Sequence, residues 1–200
     1  MKITEMKKVI GLTAALFLSM VIFAQTVPKG LNVNDKAPEF NAKDQNGKII
    51  SLKNELKNGS VVLVFYRGQW CPYCNRALKQ LEDSLPMIKA KGATVLTVTP
   101  EKQENIVKTI SKTKSTYSIL HDEGLQIMKS YDVAYKVDDK TIEKYKSYGI
   151  DFNDANGEIN GANLPVPAVY VINKEGKIVY KYFDIDYRKR SSVKDILEHL

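Results

Sequence analysis

The feature that most restricts how this chain folds is a pair of cysteines placed just after an apolar run. Residues 61–65 read Val-Val-Leu-Val-Phe, which is typical of a central strand buried on both faces. The two cysteines of the chain follow as Cys71 and Cys74, and from Pro72 onward the apolar residues recur with helical spacing. The sequence therefore predicts a strand-to-helix junction with both thiols at the start of the helix.

Thiols in this position are expected to be reactive. Unpaired backbone N–H groups and the positive end of the helix dipole stabilise a thiolate at a helix N-terminus. Lowering a thiol pKa from about 8.5 to about 6.5 raises the thiolate fraction at neutral pH from roughly 3% to roughly 75%. We predict that Cys71 is the attacking thiol of a thiol-disulfide exchange centre and that Cys74, one turn later, is its resolving thiol.

A cysteine pair of this kind could also serve a structural or metal-binding role. A structural disulfide closing so short a loop contributes only about 2 kcal/mol, and a chain of this length builds a core without it. A zinc site lacks ligands, because His121 and His199 lie far apart without metal-binding spacing. A non-enzymatic metal-binding or thiol-binding module stays open as an alternative, although no histidine or methionine lies beside the pair. No dissociable cofactor is expected.

The rest of the pattern alternates strands with helices. Turn residues at 44–47 predict a hairpin over 40–51, and residues 132–163 are polar and tyrosine-rich and are interpreted as an insertion with a helix over 141–148. The remaining predicted elements are a strand at 61–65, a helix from 72 to 92 kinked by Pro86, a strand at 93–99, a helix at 101–112, a strand at 117–120, a helix at 125–131, a hairpin over 168–183 and a helix at 192–200. The predicted fold class is α/β, with a central mixed sheet and helices on both faces.

The N-terminus carries a targeting pattern. Residues 1–24 place lysines ahead of an apolar run that ends at Ala24, as in a secretory signal peptide, with cleavage expected before Gln25. The run is shorter than the roughly 20 apolar residues of a membrane-spanning anchor, which is the alternative. We therefore expect a signal peptide at 1–24, a linker at 25–32 and a domain at 33–200. The processed protein is expected to be periplasmic or secreted, with no stable membrane insertion.

Charge patterning argues against nucleic-acid binding. The chain has a formal net charge of +7, but its lysines are scattered among acidic residues and form no basic stripe. No nucleic-acid partner is expected.

Two stretches carry a family resemblance. Residues 65–78 read FYRGQWCPYCNRAL and residues 164–173 read LPVPAVYVIN. Together they resemble the peroxiredoxin-like branch of the alkyl hydroperoxide reductase/thiol-specific antioxidant (redoxin) superfamily, over roughly residues 33–200. The resemblance implies a thioredoxin-like three-layer sandwich. It also implies a protein or small thiol as electron donor, with a thiol peroxidase acting on hydroperoxides as the second enzymatic candidate.

The same resemblance implies supporting residues. Pro167 is similar to the cis-proline that faces the cysteine pair in this superfamily, and Trp70 to the tryptophan beside the nucleophile. Arg67 is expected to add positive charge near the thiolate, and Tyr73 to tune the exposure and redox potential of the pair. A strand-entry proline, a core tryptophan and an exposed loop arginine are the structural alternatives.

Departures from the superfamily weaken the peroxidase interpretation. Typical peroxiredoxins share a PxxxTxxC sequence, whereas the equivalent proline and threonine positions here hold Val64 and Gly68. No arginine is close to Pro167 in the sequence, and the strand before the cysteines offers no buried acid. The sequence thus favours dithiol exchange over peroxide reduction, and it leaves the proton acceptor unidentified.

Overall fold

The computed structural model describes residues 27–200, and its centre is a five-stranded mixed sheet. The predicted signal peptide and its cleavage site lie outside the described residues. In chain order the elements are β1 (Asn41–Lys43), β2 (Ile49–Ser51), α1 (Leu52–Asn58), β3 (Ser60–Phe65), α2 (Pro72–Asp83), α3 (Leu85–Ala90), β4 (Ala93–Thr99), α4 (Gln103–Thr113), β5 (Ser118–His121), α5 (Gln126–Ser130), β6 (Ala134–Lys136), α6 (Asp139–Ser147), α7 (Phe152–Asn156), β7 (Asn163–Pro165), β8 (Ala168–Ile172), β9 (Ile178–Phe183) and α8 (Val193–Glu198).

Strand β3 is central, as the apolar run predicts. The sheet order is β5-β4-β3-β8-β9, with β3 parallel to β4 and antiparallel to β8. Because side chains alternate along a strand, Leu63 packs with α1 and α5 on one face, while Val62 packs with α2, α3, α4 and α8 on the other. The predicted α/β fold with helices on both faces of a mixed sheet is confirmed.

The helix that follows the cysteines is interrupted. The sequence predicts one helix kinked near Pro86, whereas α2 ends at Asp83 and α3 begins at Leu85. Pro86 lies in the first turn of α3, where backbone N–H groups have no partner within the helix, so the missing N–H of proline costs no hydrogen bond. Ser84 at the junction donates its N–H to the carbonyls of Gln80 and Leu81. The proline therefore begins a new helix.

The insertion forms a small unit of its own beside the cysteines. The predicted helix is present as α6, while the antiparallel pair β6–β7 and helix α7 were not predicted, because strands of three residues show too little alternation. Val137, Phe152 and Leu164 form its core, and Trp70 packs against them. Packing on Trp70 places the insertion next to the start of α2.

The beginning of the described chain is hydrogen-bonded to the domain. The N–H of Gly30 donates to the carbonyl of Asp132, and the N–H of Leu31 donates to the Tyr170 hydroxyl. These contacts involve part of the segment expected to be a linker. Within residues 27–200, no helix combines the length and the apolar character needed to cross a membrane.

Candidate active site

Cys71 and Cys74 lie where the sequence places them, at the N-terminus of α2. Cys71 is the N-cap residue, and its Sγ accepts the backbone N–H of Cys74 at 3.3 Å. Pro72 occupies the first turn, where helices favour proline. Both thiols are free and each residue is only 1% exposed. The two sulfurs are therefore a buried pair held by the start of one helix.

An arginine that no sequence pattern indicates contacts both sulfurs. Arg190, in the loop between β9 and α8, places Nη2 3.1 Å from Cys74 Sγ and 3.9 Å from Cys71 Sγ. Its Nη1 donates to the carbonyls of Tyr187 and Lys189, which fixes the guanidinium. More than a hundred residues separate Arg190 from the pair, so no local motif connects them.

The surroundings of the two thiols shift their pKa values in opposite directions. Burial disfavours the Cys74 thiolate, but the hydrogen bond from the Cys71 thiol and the charge of Arg190 outweigh it and lower the pKa of Cys74 to about 6. The hydrogen bond to Cys74 and burial raise the pKa of Cys71. At pH 7 most of the pair has lost its first proton, and the negative charge lies mainly on Cys74 and is shared with Cys71 through their hydrogen bond, so the two sulfurs titrate together.

Glu101 supplies a buried acid that the strand before the cysteines lacks. It follows β4 at the same sheet edge where β3 ends, because the two strands are parallel. Burial raises the pKa of its carboxyl to about 8, although the N–H of Gln69 donates to Oε2 at 2.7 Å. The charge of the Cys74 thiolate also raises this pKa. The sequence signal that could have identified Glu101 is a carboxylate two residues after β4, the apolar strand that follows the cysteine helix.

Gly68 explains why a peroxiredoxin-type threonine is absent. A Cβ at this position would lie 2.7 Å from Glu101 Oε1 and 2.6 Å from Trp70 Nε1. Contacts this short would require the side chains of Glu101 and Trp70 to shift. The space that a threonine would occupy is therefore already filled by Glu101 and Trp70.

Three supporting residues predicted from the resemblance surround the pair. Trp70 packs edge-on against Tyr145 and Phe152. Tyr73 makes an edge-on contact with Tyr187. Pro167 lines a small cavity of about 20 Å³ together with Cys74 and Arg190. These residues are brought together with the cysteines by the fold.

The expectation of a cis peptide bond before Pro167 is wrong. No peptide bond between residues 27 and 200 is cis. Val166 and Pro167 connect β7 to β8, and the N–H of Val166 donates to the carbonyl of Val133. Pro167 therefore lines the inner cavity with a trans peptide bond before it.

Arg67 is buried beside the pair and not on the surface. Only 3% of the residue is exposed, and its guanidinium lies over the rings of Trp70, Tyr145 and Tyr187 at 5.0, 5.4 and 4.2 Å. Its Nη2 donates to the Tyr145 hydroxyl at 2.6 Å. The positive charge expected near the thiolate is therefore present, enclosed by aromatic rings.

An open cleft of about 570 Å³ gives access to the pair from the side of the insertion. It is lined by Cys71 and Arg67, by Lys144 and by a group of aromatic residues, namely Trp70, Tyr73, Tyr135, Tyr145, Tyr148 and Tyr187. Cys74 lines the small inner cavity instead. Cys71 is thus the sulfur that lines the open cleft. Across the described part of the chain, no cluster of metal-binding side chains is found.

The comparisons with known proteins identify the family. The AhpC/TSA family model matches residues 33–181, so the chain belongs to the AhpC/TSA family. It is 29% identical over 183 residues to the chloroplastic peroxiredoxin Q of Arabidopsis thaliana, covering 92% of this chain and 71% of the relative. It is 26% identical over 155 residues to the thiol-disulfide oxidoreductase ResA of Bacillus thuringiensis, covering 77% and 71%.

The structural comparison supports the same fold. The crystal structure of peroxidoxin BcpB from Mycobacterium tuberculosis superposes with a TM-score of 0.65 at 17% identity, covering 84% of this chain and 96% of that one. The thioredoxin-like fold is confirmed, and with relatives of both kinds the chain is an oxidoreductase of the redoxin superfamily.

The contact between Arg190 and the sulfurs predicts that Arg190 lowers the first thiol pKa of the pair. Arg190→Gln removes the nearest cation, so the first thiol pKa should rise from about 6 toward the ordinary value of about 8.5. The thiolate absorbance of the reduced protein, followed in the ultraviolet against pH, measures this. Lys194→Gln is the control, because it removes the same charge from a side chain that is 83% exposed. Identical titrations of the two variants would contradict the role of Arg190.

The raised pKa of the Glu101 carboxyl predicts that the stability of the protein depends on pH. In the unfolded chain its carboxyl ionises above its ordinary pKa of 4.5, whereas in the folded protein it keeps its proton up to about pH 8. Between these values the unfolded state binds fewer protons, so its contribution makes the free energy of unfolding fall as pH rises. Glu101→Gln should remove this fall, whereas Glu104→Gln, at an exposed position, should retain it. Urea unfolding at a series of pH values measures the difference, and parallel profiles for both variants would contradict the assignment.

Proposed function

We propose that this protein is an exported thiol-disulfide oxidoreductase whose Cys71 and Cys74 cycle between a dithiol and a disulfide. The observation that carries the proposal is the shared charge of the buried sulfur pair, located where an open cleft reaches Cys71. The relatives named as thiol-disulfide oxidoreductases support the reaction type. The targeting pattern of residues 1–24 supports export.

The first step forms a mixed disulfide on Cys71. As Cys71 Sγ attacks one sulfur of a substrate disulfide in the cleft, its proton passes to the neighbouring Cys74 thiolate. The substrate S–S bond breaks, a new bond joins Cys71 to one substrate half, and the other half leaves as a thiolate. Cys74 therefore acts as the base for this step, because it already holds most of the negative charge.

The second step resolves the mixed disulfide. Cys74 gives up its proton, attacks Cys71 Sγ and releases the second substrate half as a thiolate, so two electrons have passed from the pair to the substrate. Glu101 is the proposed proton-exchanging group: its ionised form, roughly a tenth of the carboxyl at pH 7 for a pKa of about 8, accepts the Cys74 proton and returns it to the departing thiolate. Arg190 stabilises the Cys74 thiolate as it forms.

Single cysteine variants test the division of roles. Cys74→Ser retains the attacking sulfur but cannot resolve, so it should accumulate a long-lived mixed disulfide with a small symmetric disulfide. Cys71→Ser should lose turnover, because the remaining sulfur lines only the inner cavity. Intact mass after acid quenching reads out both results. A mixed disulfide that forms faster on Cys74 than on Cys71 would reverse the assignment.

A second candidate function, reduction of hydroperoxides by the same cysteines, is favoured by the two arginines beside the pair and by the peroxiredoxin relatives. It is opposed by the filled space at Gly68, which leaves no threonine hydroxyl to bind the peroxide. The same mass assay with hydrogen peroxide separates the candidates. Disulfide exchange should be the faster reaction, and peroxide oxidation far faster than that of an ordinary thiolate would make the peroxidase the main function.

A further inference from the structure

Arg67 is a buried cation with donors that nothing satisfies. The residue is 3% exposed, and its Nε and Nη1 have no hydrogen-bond partner in the described part of the chain. None of the ion pairs found among residues 27–200 includes it. A buried, unpaired guanidinium is costly, so a site that keeps one usually has an anion to bind.

The surroundings of Arg67 supply aromatic faces and no carboxylate. Trp70 and Tyr145 flank the guanidinium, and Tyr187 covers it at 4.2 Å from a loop in which the neighbouring Ile185 is 72% exposed. Of the acids near the cleft, Asp138 is engaged in capping α6 through the N–H of Thr141. Tyr135 also interacts with the Arg67 side chain, so the guanidinium has phenolic and aromatic partners but no ion pair among residues 27–200, and the partly exposed Tyr187 ring covers it.

The position of Arg67 links it to the reacting sulfur. It lines the same cleft as Cys71, whereas Arg190 contacts the pair from the side of the inner cavity. The two arginines therefore have different tasks available to them. Arg190 balances the charge of the sulfurs, and Arg67, which lines the cleft, keeps Nε and Nη1 without a hydrogen-bond partner in the described residues.

We propose that the oxidised protein uses a small thiol bearing a carboxylate as its reductant, and that Arg67 binds this carboxylate after the Tyr187 ring moves aside. The inference rests on the proposed thiol-disulfide function. A first substrate thiolate attacks Cys71 Sγ, the Cys71–Cys74 bond breaks and Cys74 leaves as a thiolate beside Arg190. A second thiolate attacks the substrate sulfur of the mixed disulfide and releases Cys71. Two thiols become one disulfide, and the protein gains the two electrons.

The redox state of the pair sets when the carboxylate binds best. In the reduced protein the negative charge shared by the sulfurs lies near Arg67 and partly neutralises the attraction of its guanidinium for an external carboxylate. Oxidation removes that charge, and the unpaired guanidinium then attracts an external anion more strongly. By linkage, an anion that prefers the oxidised protein must also stabilise it against reduction by neutral thiols.

A redox-inert probe tests the binding site alone. The fluorescence of Trp70, the single tryptophan of the chain, reports titrations with 3-phenylpropionate and with the neutral 3-phenylpropionamide. The acid should bind the oxidised protein about tenfold or more tightly than the amide, as expected of one charge-assisted hydrogen bond, and more tightly than it binds the reduced protein. Equal binding of acid and amide would overturn the proposal.

Matched variants assign the effect to Arg67. Arg67→Met should abolish the preference for the acid, whereas Arg76→Met, which removes the same charge from an exposed position of α2, should preserve it. If Arg67→Met does not fold, Tyr187→Ala provides the test, because removing the cover should tighten binding of 3-phenylpropionate. A preference that survives Arg67→Met, or that Tyr187→Ala leaves unchanged, would overturn the assignment.

Reduction kinetics connect the site to the reaction. Oxidised protein is mixed with 3-mercaptopropionate or with its methyl ester, and the rates are compared at equal thiolate concentration. The acid should react about tenfold faster or more in the wild-type protein and equally fast in Arg67→Met. Equal rates in the wild-type protein would overturn the inference and leave the proposed function standing. Failure of both thiols to reduce the protein would instead contradict the proposed function.

Discussion

One negative charge shared by two buried sulfurs is the interaction on which the site depends. Burial alone would keep both thiols protonated and unreactive. The N-terminus of α2 offsets this by donating the Cys74 N–H to Cys71, and Arg190 offsets it further by contacting both sulfurs. The result is a pair that loses its first proton near pH 6 although each cysteine is almost wholly enclosed. Reactivity and protection from the solvent are thereby combined.

The fold brings residues that are distant in the sequence next to the two sulfurs. Parallel pairing of β3 and β4 brings the chain after both strands to one sheet edge, which places Glu101 near the cysteine helix. The loop after β9 returns Arg190 to the same edge, and the insertion adds the aromatic wall that encloses Arg67. Gly68 permits the close packing of Glu101 and Trp70 that excludes a peroxide-binding threonine. Several close contacts around the start of one helix thus build the proposed site.

The parts of the structure that the sequence could predict are those encoded locally. The apolar run at 61–65 and the helical spacing after Pro72 are enough to place the strand, the helix and both cysteines, and the Asn46-Gly47 turn is enough to predict the hairpin β1–β2. Sequence patterns did not predict Arg190, Glu101 or the pair β6–β7, because their roles come from tertiary contacts between separate segments. The cis peptide bond expected before Pro167 came only from the resemblance, and no peptide bond between residues 27 and 200 is cis.

Cys71 and Cys74 are expected to form one reversible two-electron couple. Equilibrating the protein in thiol-disulfide buffers of varied ratio, then quenching with acid and measuring intact mass, follows this couple. A single transition between the dithiol and an intramolecular disulfide is expected, accompanied by a change in Trp70 fluorescence. Independent oxidation of the two cysteines to separate mixed disulfides, or no oxidation across the range, would contradict it.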